Sequence, residues 1–102
     1  MKVIETDSAK YYIGQNSSEN DELFYEMPKN AIWFHLDSKS SSHVYCMLND
    51  SEKKISKEQI KKGAELVKQW SKKDDKVIYI QKSKLKRLGP GLLDLIEEPK
   101  YA

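Results

Sequence analysis

The stretch AIWFHLDSKSSSHVYCML, from Ala31 to Leu48, decides the fold. Ile32, Phe34 and Leu36 alternate with Trp33, His35 and Asp37, the period-two pattern of a strand with two different faces. A polar turn of serines and one lysine follows from Ser38, and the return run alternates again. Val44, Cys46 and Leu48 point one way; His43, Tyr45 and Met47 point the other. If the two strands pair as an antiparallel hairpin, the inward rows make a core. The outward rows then gather Trp33, His35, Asp37, His43 and Tyr45 on one surface. In an α+β fold a helix covers such a face, or it is left as a contact platform.

Working outward, Lys2 to Thr6 and Lys10 to Ile13 are short β-branched and aromatic runs around Asp7, Ser8 and Ala9, which reads as a hairpin ended by Gly14. Ser17 or Ser18 caps a short helix reaching Phe24, with acidic residues at its favoured N-terminal end. Pro28 and Asn30 break the chain before the central hairpin. After a loop over Asn49 to Lys54, Ser56 and Gln59 form a capping box and Ile55 and Ile60 its hydrophobic staple, so a helix starts there. Ile60, Gly63, Ala64, Val67 and Trp70 share one face of it, and Lys57, Lys61, Lys68 and Lys72 line its flank. Asp74 and Asp75 turn the chain into a strand from Val77 to Ile80. A second basic run extends from Lys82 to Arg87, and Gly89, Pro90 and Gly91 turn into a last strand over Leu92 to Ile96.

With 102 residues the chain has material for one core, and 38% hydrophobic residues suffice to build it. No run is apolar enough to span a bilayer and no hydrophobic signal region follows Met1, which predicts a soluble, cytoplasmic protein without membrane insertion. The lone cysteine, Cys46, fits a reducing compartment. The net charge of +2 hides a strong polarity. Residues 1–51 hold four Lys against eight acids, −4; residues 52–87 hold thirteen Lys or Arg against five acids, +8; residues 88–102 hold one Lys against three acids, −2. A basic segment of that size is a footprint for a polyanion. Only Arg87 among the cations is arginine, so lysines acting on phosphates are expected in place of bidentate readout of guanine edges.

His35, His43, Cys46 and Asp37 do not match a zinc spacing, and strand alternation sends Cys46 away from both histidines; no metal and no cofactor are expected. The same histidines with Asp37 could carry acid–base chemistry, yet no nucleophile sits in a defined turn and no phosphate-cradling loop precedes a helix. Binding suits these residues better. Trp33 and Tyr45 offer flat faces for stacking, and nearby lysines attract phosphates.

The stretches YYIGQNSSENDEL, IWFHLDSKSSSHVY, GAELVK, VIYIQKSKLKR and GPG, in that order across about residues 10–91, resemble the NFACT-R domain, the RNA-binding-type module of the NFACT proteins. The matching marks are Gly14 and Asn16, Asn20 to Leu23, Trp33 to His35, and Ser42 to Val44. The resemblance implies a lineage in ribosome-associated quality control, where multidomain relatives engage the large ribosomal subunit and tRNA. This chain resembles a stand-alone copy. Ser41 stands where many relatives have Gly, no basic residue follows the His-Val strand around Cys46 and Met47, and much of the terminal strand region after Gly91 is expected to be lost. Ribosome docking and peptide-tail elongation do not carry over.

The expectation is one α+β domain over residues 1–102, a mostly antiparallel sheet with one long amphipathic helix and a short helix, binding RNA (tRNA or rRNA) more readily than DNA and without catalysis. Trp33, His35, His43 and Tyr45 are the contact platform. Asn16 and Asn20 are polar contacts or turn formers, and Lys61, Lys68, Lys72, Lys84, Lys86 and Arg87 meet phosphates. The rivals are an RNA-processing or RNA-modifying enzyme using His35, His43 and Asp37, and an adaptor whose basic helix docks on a ribosomal or other protein partner.

Overall fold

A computed structural model describes residues 1–48 and 54–102, so the loop expected over Asn49 to Lys54 lies, but for Lys54, outside the described residues. In chain order the elements are β1 (Lys2–Glu5), β2 (Ala9–Gly14), α1 (Ser17–Glu26), β3 (Ile32–Leu36), β4 (His43–Leu48), α2 (Lys57–Ser71), β5 (Val77–Gln81), β6 (Leu85–Gly89), β7 (Leu92–Leu95) and β8 (Lys100–Tyr101). A one-turn 3₁₀ helix, Lys82–Lys84, joins β5 to β6. Six strands form one antiparallel sheet in the order β1-β2-β4-β3-β5-β8, and β6 pairs with β7 in a separate ribbon. The architecture is α+β.

The central hairpin forms in the register its alternation demands, with Ile32 opposite Cys46, Trp33 opposite Tyr45 and Phe34 opposite Val44. Because a strand sends successive side chains to opposite faces, each row must find its own cover. The row of Phe34, Leu36, Val44 and Cys46 joins Tyr11 and Ile13 of β2 and packs against Leu66 and Val67 of α2. The row of Trp33 and Tyr45 joins Ile78 and Ile80 of β5 and packs against Leu23 of α1, Met27 just after it and Leu85 of β6. The sheet is the middle of three layers. The second face is therefore covered, and the open platform expected as one alternative does not form.

The capping box at the start of α2 is complete: Gln59 N–H donates to Ser56 Oγ at 3.1 Å, and Ser56 N–H donates to Gln59 Oε1 at 2.8 Å. Gln59 is buried, and its Nε2 reaches Ser8 O in the β1–β2 turn. Gly63 explains how closely α2 lies on the sheet, since a Cβ there would sit 2.5 Å from Phe34 Cζ. The helix accepts a residue of poor propensity, about 1 kcal/mol worse than Ala, so that a phenyl ring can pass beneath it. Leu66 belongs to the buried face as well, beyond the residues that the helical spacing predicts there.

Two boundaries differ from expectation. The cap of α1 is Asn16, whose Oδ1 accepts from Glu19 N–H at 2.9 Å, while Ser17 and Ser18 are already helical; Asn is as strong a cap as Ser and comes first. At the other end, Leu92–Leu95 folds back on β6, and the large sheet ends in β8, with Tyr101 opposite Ile78 and Lys100 opposite Tyr79. The chain after Gly91 thus still supplies two strands.

Candidate nucleic-acid interface

Residues bearing chemistry fall on two separate surfaces. The first is a cleft of about 670 Å³ at the end of the sheet where β3 leaves and β4 enters. Trp33, His35 and His43 line its floor, Asn16 and Asn20 of the α1 end form one side, and the loop from Ser38 to Ser41 forms another. The Trp33 indole stacks on His35 with ring centroids 5.1 Å apart, and the two imidazoles meet edge to face at 5.0 Å. Trp33 Nε1–H donates to His43 Nδ1 at 3.2 Å, and His35 Nδ1 lies 2.6 Å from Leu36 O. Burial pushes the pKa of both histidines down; for His43, with the neighbouring His35 adding to the effect, it falls to about 3. Both rings are uncharged at neutral pH.

The far wall is the β6–β7 turn, and it is tied down. Arg87 Nε and Nη2 donate to the two Asp21 carboxylate oxygens at 2.6 and 3.1 Å, a fork-to-fork pair across 66 residues of sequence. That hydrogen bond holds the Asp21 carboxyl below its usual range. Gly91, at φ +71°, then brings the turn against Ser17, leaving no room for a side chain. The serine loop is tied as well: Asp75 Oδ2 accepts from Ser38 N–H and Oγ, Lys73 Nζ donates to Ser40 O, and Ser42 N–H donates to Ser71 Oγ.

The second surface is the solvent side of α2. Lys57, Lys61, Lys68 and Lys72 are exposed along it, as their helical spacing predicts. Lys68 lies 3.3 Å from Asp74, whereas Lys57, Lys61 and Lys72 make no ion pair among the described residues. Between this ridge and the sheet edge runs a groove floored by Ile60, Ala64 and Tyr79.

The expected site residues therefore divide. His35 and His43 come together in the cleft with Trp33 and Asn20. Tyr45 does not join them: it is fully buried beneath α1, with its hydroxyl unpartnered among the described residues, and cannot offer a face for stacking. Trp33 is buried too, so its indole is part of the floor and no open platform. Asn16 is spent on the helix cap. Lys61, Lys68 and Lys72 share one ridge; Lys84, 3.3 Å from Glu97, and Lys86 are exposed elsewhere. Arg87, expected on phosphate, is held by Asp21. Asp37 accepts from Tyr101 and from neither histidine. No group of three or more metal-ligating side chains exists among the described residues. Sequence reasoning missed the Asp21–Arg87 tie and the Pro90–Gly91 wall, which have no local signal beyond the turn residues themselves.

The model of the NFACT protein RNA binding domain matches residues 2–94. The chain belongs to that family. Coiled-coil domain-containing protein 25 of Bos taurus and of Mus musculus are each 40% identical over 84 residues, covering 74% of this chain and 40% of theirs. The chain thus spans about two fifths of the length of these relatives. The C-terminal region of the fibronectin/fibrinogen-binding protein from Streptococcus suis superposes with a TM-score of 0.80 at 29% identity, over 98% of this chain and 42% of that one. As an NFACT RNA-binding domain the chain is an RNA-binding module by family, and neither relative's name denotes an enzyme.

Proposed function

We propose that this NFACT RNA-binding domain holds tRNA or rRNA, in the cytoplasm and in the setting of translation quality control, without transforming it. The observation that carries the reading is the ridge of Lys57, Lys61, Lys68 and Lys72 along the solvent side of α2, where Glu65 stands between Lys61 and Lys68 and Asp74 pairs with Lys68, leaving the cations in excess. Lysines one or two helical turns apart present a row of point charges to a phosphate backbone, and the counterions they release from the nucleic acid favour binding. The histidines support binding over turnover. Each already uses its Nδ1 within the protein, and neither hydrogen-bonds a carboxylate among the described residues that could orient it as a general base.

Crosslinking the protein to RNA in cells and sequencing the attached fragments tests this. Enrichment of tRNA or rRNA is the expected result. Fragments drawn evenly from the transcriptome, or recovery of protein partners that survives RNase, would overturn the choice of RNA in the first case and RNA binding itself in the second.

A further inference from the structure

The cleft contains hydrogen-bonding groups that the fold does not use. Since Trp33 Nε1–H occupies His43 Nδ1, an uncharged His43 carries its proton on Nε2 and can donate from there. Leu36 O can only accept, so His35 carries its proton on Nδ1 and keeps a lone pair on Nε2. Neither Nε2 has a partner among the described residues.

We infer that this cleft takes the Watson–Crick edge of a single unpaired RNA base, with His43 Nε2–H donating to it and His35 Nε2 accepting from it. The inference rests on the RNA-binding reading and adds what the RNA must look like. Every RNA base carries a donor beside an acceptor on that edge, and in a duplex both are consumed by pairing, so only an unpaired base can offer them. Charge decides which part of the nucleotide enters. Asp37 and Asp94 line the cleft against one lysine, Lys39, whose ammonium is drawn to Asp74 O, so the cleft is a poor seat for a phosphate, whereas the base is uncharged. The phosphates on either side meet cations at the rim instead. Lys73 holds the serine loop through Ser40 O, Lys39 reaches back to Asp74 O, and Lys72 caps α2 beside them. The loop wall thus joins the cleft to the C-terminal end of the lysine ridge, and a strand crossing it can lie on the ridge with one base turned inward.

The test compares a short unstructured RNA strand with the blunt duplex made from it, using the wild-type chain and His35→Phe. Phenylalanine keeps a ring on Trp33 but has no acceptor. The expected result is a loss of about tenfold for the strand, with duplex affinity unchanged. An equal effect on both RNAs, or on neither, overturns the inference while leaving RNA binding standing; failure of the wild type to bind either RNA removes the RNA-binding reading itself. A second measurement needs no variant. In the wild type the ¹⁵N resonances of His35 and His43 Nε2 should move on adding the strand and stay in place on adding the duplex, and resonances that ignore the strand overturn the inference even if His35→Phe fails to fold.

Discussion

The indole of Trp33 and the imidazole of His43 are joined by a single hydrogen bond of 3.2 Å inside the layer that α1 and the β6–β7 ribbon cover. Indole N–H can only donate, so this bond exists only while His43 Nδ1 is bare. The protonation state of one side chain is thereby built into the fold.

A dependence of stability on pH follows. His43 binds its proton at about 3 in the folded chain against 6.5 when free, so between those values the unfolded state takes up protons that the folded state does not. The stabilisation is complete above pH 6.5 and is lost as pH falls towards 3, with a slope approaching about 1.4 kcal/mol per pH unit. Urea unfolding midpoints should fall from pH 6.5 to 5, above the range where most carboxylates titrate. A His43→Gln variant, if folded, should show a flatter profile, and an equal slope in both proteins would assign the effect to other groups.

Tyr45 separates packing from polarity. Its ring is fully buried, but its hydroxyl has no hydrogen-bond partner among the described residues. Tyr45→Phe should therefore leave stability unchanged or raise it slightly, since a desolvated hydroxyl is removed. Tyr45→Ala should cost about 3–5 kcal/mol through the cavity it opens. In both variants the folded fraction should bind RNA as the wild type does, which thermal melts run beside affinity measurements will show.

Gly63→Ala opposes two terms of known sign. Alanine favours the helix by about 1 kcal/mol, but its Cβ would lie 2.5 Å from Phe34 Cζ. Overpacking of this kind costs about 1–3 kcal/mol, so the variant should be less stable on balance. Denaturant unfolding measures it; a stabilised variant would mean that α2 can lift from the sheet without penalty.

Much of this fold is written locally. The alternation of Ile32 to Leu36 and His43 to Leu48, and the Ser56–Gln59 box, each lie within a few residues, and the hairpin and α2 form where those signals place them. What could not be read is non-local. Whether the Trp33–Tyr45 row faces water depends on Leu23, Met27 and Leu85 arriving from distant segments, and the fate of Arg87 depends on Asp21. The basic run from Lys82 to Arg87 looks uniform in sequence, yet Lys82 turns inward to Met27 O and the Phe24 ring while Lys84 and Lys86 stay exposed. The histidine pair was legible as two outward residues on paired strands, but their opposite hydrogen-bond polarities follow from Trp33 Nε1 and Leu36 O, which only geometry reveals.

The central claim is that the α2 lysines meet RNA phosphates, and the salt dependence of RNA affinity tests it most directly. The logarithm of affinity for a single strand should fall with the logarithm of salt by about 0.7 for each phosphate neutralised. Replacing Lys61, Lys68 and Lys72 together with Gln should reduce that slope by about two units while leaving the melting temperature in place, because all three side chains are exposed. An unchanged slope in the triple variant would contradict the account.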